Sequence, residues 1–124
     1  MIIEFYDYDH EKAYANMCSK ICLHSNDVYH SSLFYLLTLD EVCRKHLNEI
    51  YDFEDDCIIP SALNKPWQTS HSLATIRLAF NLWNGYCYGD EGEISRCFSV
   101  NSIFGNCYSL YYIEALKLRY PTCF

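Results

Sequence analysis

The stretch between Thr69 and Gly85 constrains this chain most, because its apolar residues leave almost no side of a helix polar. Leu73, Ile76, Leu78, Ala79, Phe80, Leu82 and Trp83 spread around most of the circumference at the helical repeat. A helix of that kind is stable only when other elements surround it. Its ends are marked as well. Thr69 or Ser70 can cap the first turn through a hydroxyl, and Gly85 supplies the left-handed residue that closes a helix. A chain of 124 residues has room for one such core. The pattern predicts a mainly α, compact single domain over residues 1–124, with this helix central.

Four further helices are expected around it, about five in all. Asp7 or Asp9 can cap a helix over roughly 10–23, where Ala13, Tyr14, Met17, Cys18, Ile21 and Cys22 recur at helical spacing. Asn26 or Asp27 can cap a second, strongly apolar helix to about Leu37. Thr38-Leu39-Asp40-Glu41 reads as a capping box that opens a third helix to about Tyr51, burying Val42, Cys43, Leu47 and Ile50. Asn106 can cap the last helix, from Cys107 to about Arg119, and Pro121 ends it. Residues 1–8 read as a short edge strand or an extended arm laid on the core. Residues 52–68 form a long acidic loop broken by Pro60 and Pro66, and residues 86–105 are irregular.

Composition narrows the function classes. Sixteen Asp and Glu against nine Lys and Arg give a net charge of −7, which argues against direct nucleic-acid binding through counterion release. No apolar run reaches the about 18 residues that a membrane-spanning helix needs. The first residues carry no basic region followed by a long apolar one, so no export signal and a cytoplasmic location are expected. Eight cysteines then read as reduced, structural thiols more readily than as a disulfide framework. Cys18, Cys22 and His24 share a region, but the second ligand pair that a zinc site needs is not evident and no Cys-x-x-Cys occurs. Neither a cofactor nor a metal is implied.

Three groups of residues could carry function. Asp52, Glu54, Asp55 and Asp56 place four carboxylates in five residues, without the glycine and register of a calcium loop. With Asp90, Glu91 and Glu93 they could face the basic surface of a protein or ribonucleoprotein; a solvated charged turn is the plainer reading. Arg77, Asn81 and Asn84 form a polar stripe at i, i+4 and i+7 on the central helix. With His30 it could line a small-molecule or enzymatic site, or it could satisfy loop carbonyls, with Arg77 paired to an acid of the 52–56 cluster. His30 has Ser31 and Ser32 beside it but no nucleophile elbow, and no catalytic residue is assigned. His10, His24, His46 and His71 read as surface or helix-end residues. Tyr108, Tyr111, Tyr112 and Tyr120 along the last helix suit either a wet core boundary or an interface, including a homodimer.

Three stretches carry a resemblance: Tyr29-His30-Ser31-Ser32-Leu33-Phe34-Tyr35, then Trp67-Gln68-Thr69-Ser70 with Arg77-Leu78-Ala79-Phe80-Asn81-Leu82-Trp83-Asn84-Gly85, and Glu114-Ala115-Leu116-Lys117-Leu118-Arg119-Tyr120-Pro121. They resemble a family of small uncharacterised bacterial proteins, met in Gram-positive hosts and on mobile elements. The resemblance implies a cytoplasmic single domain and no assigned activity. Together with the acidity, the mobile-element setting makes an inhibitor of a nucleic-acid-binding host defence complex, such as an anti-CRISPR protein, the sharpest expectation.

Overall fold

A computed structural model describes residues 2–21, 23 and 26–124; Cys22 and His24, weighed above as metal ligands, lie outside them. The described chain is mainly helical. Its elements are α1 (Tyr8–Lys20), α2 (Val28–Leu37), α3 (Glu41–Lys45), α4 (Leu47–Ile50), β1 (Tyr51–Asp52), β2 (Cys57–Ile58), α5 (Ser70–Asn84), α6 (Val100–Ile103) and α7 (Ser109–Arg119). Single 3-10 turns occupy Pro60–Asn64, Arg96–Phe98 and Pro121–Cys123. These are seven α-helices rather than five, because the third expected helix breaks at His46 and the irregular 86–105 stretch holds α6.

The caps explain most boundaries. Asp7 accepts the backbone N–H of His10 and starts α1, and Asp27 does the same for α2 through the N–H of His30. At α5, Thr69 and Ser72 exchange side-chain and backbone hydrogen bonds, and Gly85 closes the helix at φ +79°. The capping box expected at Thr38 does not form. Asp40 is the cap of α3, accepting from Cys43, while the Thr38 hydroxyl donates back to the carbonyl of Phe34. Thr38 is buried, and its hydroxyl bonds back to the carbonyl four residues earlier, which also accepts the Thr38 N–H.

The core lies between α2, α5 and α7, with α1 laid on the outer side of α2. From Ser32 to Asp40 every residue is buried, so the later part of α2 is enclosed on all sides. Phe34, Tyr35, Leu36 and Leu37 meet Ile76, Ala79 and Phe80 of α5 and Tyr112 and Ala115 of α7 in one apolar cluster. Two helices, not one, are therefore central.

Residues 2–6 form no strand. They are the extended arm: Ile3 and Phe5 pack on the core, Glu4 accepts the Tyr35 hydroxyl at 2.6 Å, and its N–H donates to Glu114 at 2.8 Å. The arm also buries His10, which is not a surface residue. Its Nδ1 accepts the N–H of Tyr6 at 3.1 Å, so Nε2–H donates to the Tyr35 carbonyl at 2.8 Å. Of the seven described cysteines only Cys43 is fully buried; Cys57, Cys97, Cys107 and Cys123 are exposed, so structural burial explains few of them. No described helix is long and apolar enough to cross a membrane.

Candidate functional site

The acidic segment is not a structureless loop but the tip of a small hairpin. Tyr51 pairs with Ile58 and Asp52 with Cys57, and the burial of Tyr51 and Ile58 fixes the register. Residues 53–56 make the turn. Asp52 Oδ1 accepts the N–H groups of Glu54 at 2.9 Å and Asp55 at 3.1 Å, the local bonding that lets aspartate open a turn. Asp56 closes it at φ +52°, a left-handed conformation that aspartate tolerates better than bulky residues. Phe53 turns inward, its ring 4.9 Å from that of Tyr51.

His30, on the first turn of α2, fastens this tip to the helix. Its Nδ1 lies 2.6 Å from Asp27 Oδ2, and its Nε2 lies 2.7 Å from Asp56 Oδ1. Tyr51 donates its hydroxyl to the same Asp56 oxygen. The imidazole rests edge-on to Trp83 of α5 at 4.9 Å and against Phe34 at 5.5 Å. Only the imidazolium can donate to both carboxylates at once. Burial alone would push the His30 pKa down, but the hydrogen bonds with Asp56 and Asp27 outweigh it and raise it. Burial likewise pushes Asp56 up, and the Tyr51 and His30 donors bring it below the ordinary carboxylate value.

Chemically this is a clamp. A general base needs a ring nitrogen free to take a proton, and here both are held by carboxylates. Cys57 next door is no activated thiol either. Desolvation and the charges of Asp52, Asp55 and Asp56 push its pKa up, opposite to what a nucleophilic cysteine requires.

The polar stripe of α5 divides. Asn81 donates to the Tyr86 carbonyl at 3.3 Å and Asn84 accepts the Tyr86 N–H at 3.1 Å, so both hold the chain as it leaves the helix. Arg77 does not pair with the 52–56 cluster. It lines an open cleft of ≈ 250 Å3 together with Asp90 and Glu93. His30 belongs instead to the hairpin and Trp83, away from that cleft. Asp90, Glu91 and Glu93 are exposed in a second turn below the Tyr88–Ile94 bridge, where Glu93 accepts the Glu91 N–H at 3.0 Å. Among the described residues no group of three or more His, Cys, Asp or Glu is placed to hold a metal ion.

The tyrosines of α7 turn largely inward. Tyr108 donates to Asp40 at 2.9 Å, Tyr112 meets the Thr75 hydroxyl at 2.7 Å, and Tyr6 packs edge-on against both Tyr108 and Tyr111. The outward residues of that helix are Leu110, 79% exposed, and Ile113, 39% exposed. Sequence reasoning had not joined Asp27 and Tyr51 to His30. The Asp27–His30 contact was readable from its i, i+3 spacing at a helix start; the Asp56 contact, 26 residues away, was not.

The family of unknown function DUF6075 matches residues 1–124, the whole chain. The chain belongs to DUF6075. This agrees with the resemblance carried by the three stretches around Tyr29, Arg77 and Glu114. No curated protein and no solved structure matches it. The function of DUF6075 is unknown, so function has to be sought in the side chains themselves.

Proposed function

We propose that this DUF6075 chain is a protein–protein interaction module that offers its acidic hairpin to a basic surface of a protein or ribonucleoprotein. The observation that carries the reading is the division of labour within the tip. Asp52 and Asp56 are used to hold the turn and fasten it to His30 and Tyr51, while Glu54 and Asp55 stand exposed and make no ion pair among the described residues. Carboxylates held on a fixed turn lose less entropy on meeting a basic partner than carboxylates on a floppy one. The sharpest form of the reading is an inhibitor that places carboxylates where a defence complex expects phosphates. It is supported by the net charge and by the resemblance to mobile-element proteins.

Charge reversal at the free positions tests it. Glu54→Lys with Asp55→Lys should abolish retention of a basic partner while leaving the melting temperature unchanged. Retention that survives the reversal and does not fall with added salt would remove this reading. A homodimer through α7 is the second reading, favoured by the exposed Leu110 and Ile113. A monomeric mass in solution at high protein concentration would dismiss it.

A further inference from the structure

Cations are scarce in this chain, nine Lys and Arg in all, yet three of them line one open cleft of ≈ 360 Å3. Lys20 ends α1, Arg44 and Lys45 end α3, and His46 sits at the break before α4, with Glu49 and Phe53 completing the walls. The volume falls in the range of small-molecule sites.

Arg44 and Lys20 are positioned without a carboxylate partner, and Lys45 is paired only in solvent. Arg44 Nη1 donates to the carbonyls of Thr38 at 2.8 Å and Leu39 at 3.2 Å, which fixes the guanidinium with no carboxylate; its other N–H groups donate to no described residue. The Lys20 ammonium lies 5.0 Å above the Phe53 ring and pairs with no described acid. Lys45 meets Glu41 at 3.3 Å, but both side chains are about two-thirds exposed (67% and 70%), a solvated pair that a stronger anion displaces. The one carboxylate in the walls, Glu49, is already engaged by His46 at 2.6 Å and by the Trp67 indole at 3.3 Å. Cations in the last turn of a helix also complement its negative end. That accounts for Lys20 at the end of α1 and for Arg44 and Lys45 at the end of α3, but not for the meeting of two such helix ends in one cleft, nor for the unused guanidinium donors.

A guanidinium fork flanked by two ammonium groups is the donor set that phosphate oxygens match. We propose that this cleft binds a phosphate group, as the free anion or on a small phosphoester, through Arg44, Lys20 and Lys45.

Titration of the isotopically labelled full chain at low ionic strength tests this, with inorganic phosphate, ribose 5-phosphate and ribose as probes. Both phosphates should shift the Lys20, Arg44, Lys45 and His46 resonances saturably, with dissociation constants of about 1 mM or below, and ribose should shift nothing. Tighter binding of the ester assigns the site to phosphoesters, and equal binding assigns it to the free anion; both support the proposal. Lys20→Gln with Lys45→Gln should weaken binding about tenfold or more at an unchanged melting temperature, whereas Lys12→Gln with Lys117→Gln should leave it intact. Should the first pair fail to fold, Lys45→Gln alone, at an exposed position, serves the same purpose. No saturable shift by about 20 mM phosphate, or equal affinity in the Lys20/Lys45 variant, overturns the proposal.

Discussion

Two histidines in this chain lie against a tryptophan and beside a carboxylate, and they are built in opposite ways. His46 stacks flat on Trp67, centroids 4.0 Å apart and planes parallel, with Nδ1 2.6 Å from Glu49, three residues along the same helical turn. His30 meets Trp83 edge-on and spends both nitrogens on carboxylates, one local and one across the hairpin. The first group needs little from the rest of the fold beyond Trp67. The second exists only when α2, α5 and the hairpin are all in place. Similar side chains therefore give a local contact in one region and a tertiary fastening in the other, and what separates them is the sequence distance to the carboxylate, three residues for His46 and up to 26 for His30.

The largest test of that contrast is truncation. His30→Ala removes two hydrogen bonds to charged groups and the packing on Trp83 and Phe34, and should cost about 2–3 kcal/mol in urea unfolding. His46→Ala should cost much less, because its partner Glu49 is 43% exposed and water replaces the contact readily. Equal losses would break the distinction. Asp56→Asn should fall between them at about 1 kcal/mol, since the Asp56 side chain is 54% exposed and solvent screens it.

Stability against pH sharpens the same point. The folded pKa of His30 lies above its unfolded value, so its contribution is complete below the ordinary histidine pKa of about 6.5 and is lost as pH rises through the higher folded value. His10 works in the opposite window. Burial, only partly offset by its hydrogen bond to the Tyr35 carbonyl, holds its pKa down at about 4, so its contribution is present above about 6.5 and is lost as pH falls toward 4. Wild-type stability should therefore decline on both sides of a maximum near neutrality. In Asp56→Asn the alkaline decline should still begin at about 6.5, where the unfolded histidine titrates, but should be smaller and end at lower pH, while the acid limb stays put. A decline that is unmoved by Asp56→Asn would show that His30 is not its source.

What could be read from the sequence follows the same rule of distance. The ends of α5 and the Asp27 cap were legible because each is settled by neighbours a few residues away, whereas the choice between strand and arm at residues 2–6 is made by Tyr35 and Glu114, far along the chain. The hairpin was not legible, since strands of two residues carry no periodicity. His10 read as a surface residue because nothing near it in sequence foretells the Tyr35 carbonyl, 25 residues on. The break at His46 was hidden in a run that looks helical throughout; Trp67, stacked on that histidine, comes from beyond the hairpin. At the candidate site the acids were visible, but which two hold the turn and which two remain free depends on His30 and Tyr51, whose partners only the fold supplies.

The smallest effect is optical and isolates one pair from the other. An imidazolium at the edge of an indole quenches its fluorescence more than a neutral imidazole does, and His30 sits 4.9 Å from Trp83. With Trp67→Phe removing the other indole, emission should rise modestly as pH climbs through the folded-state His30 titration, with its midpoint where the alkaline loss of stability levels off. Asp27→Asn should move that midpoint down, because the Asp27 hydrogen bond and charge help to hold the proton on His30. A flat emission profile in Trp67→Phe, where Trp83 is the one indole left, would show that the fastening has no optical signature of its own.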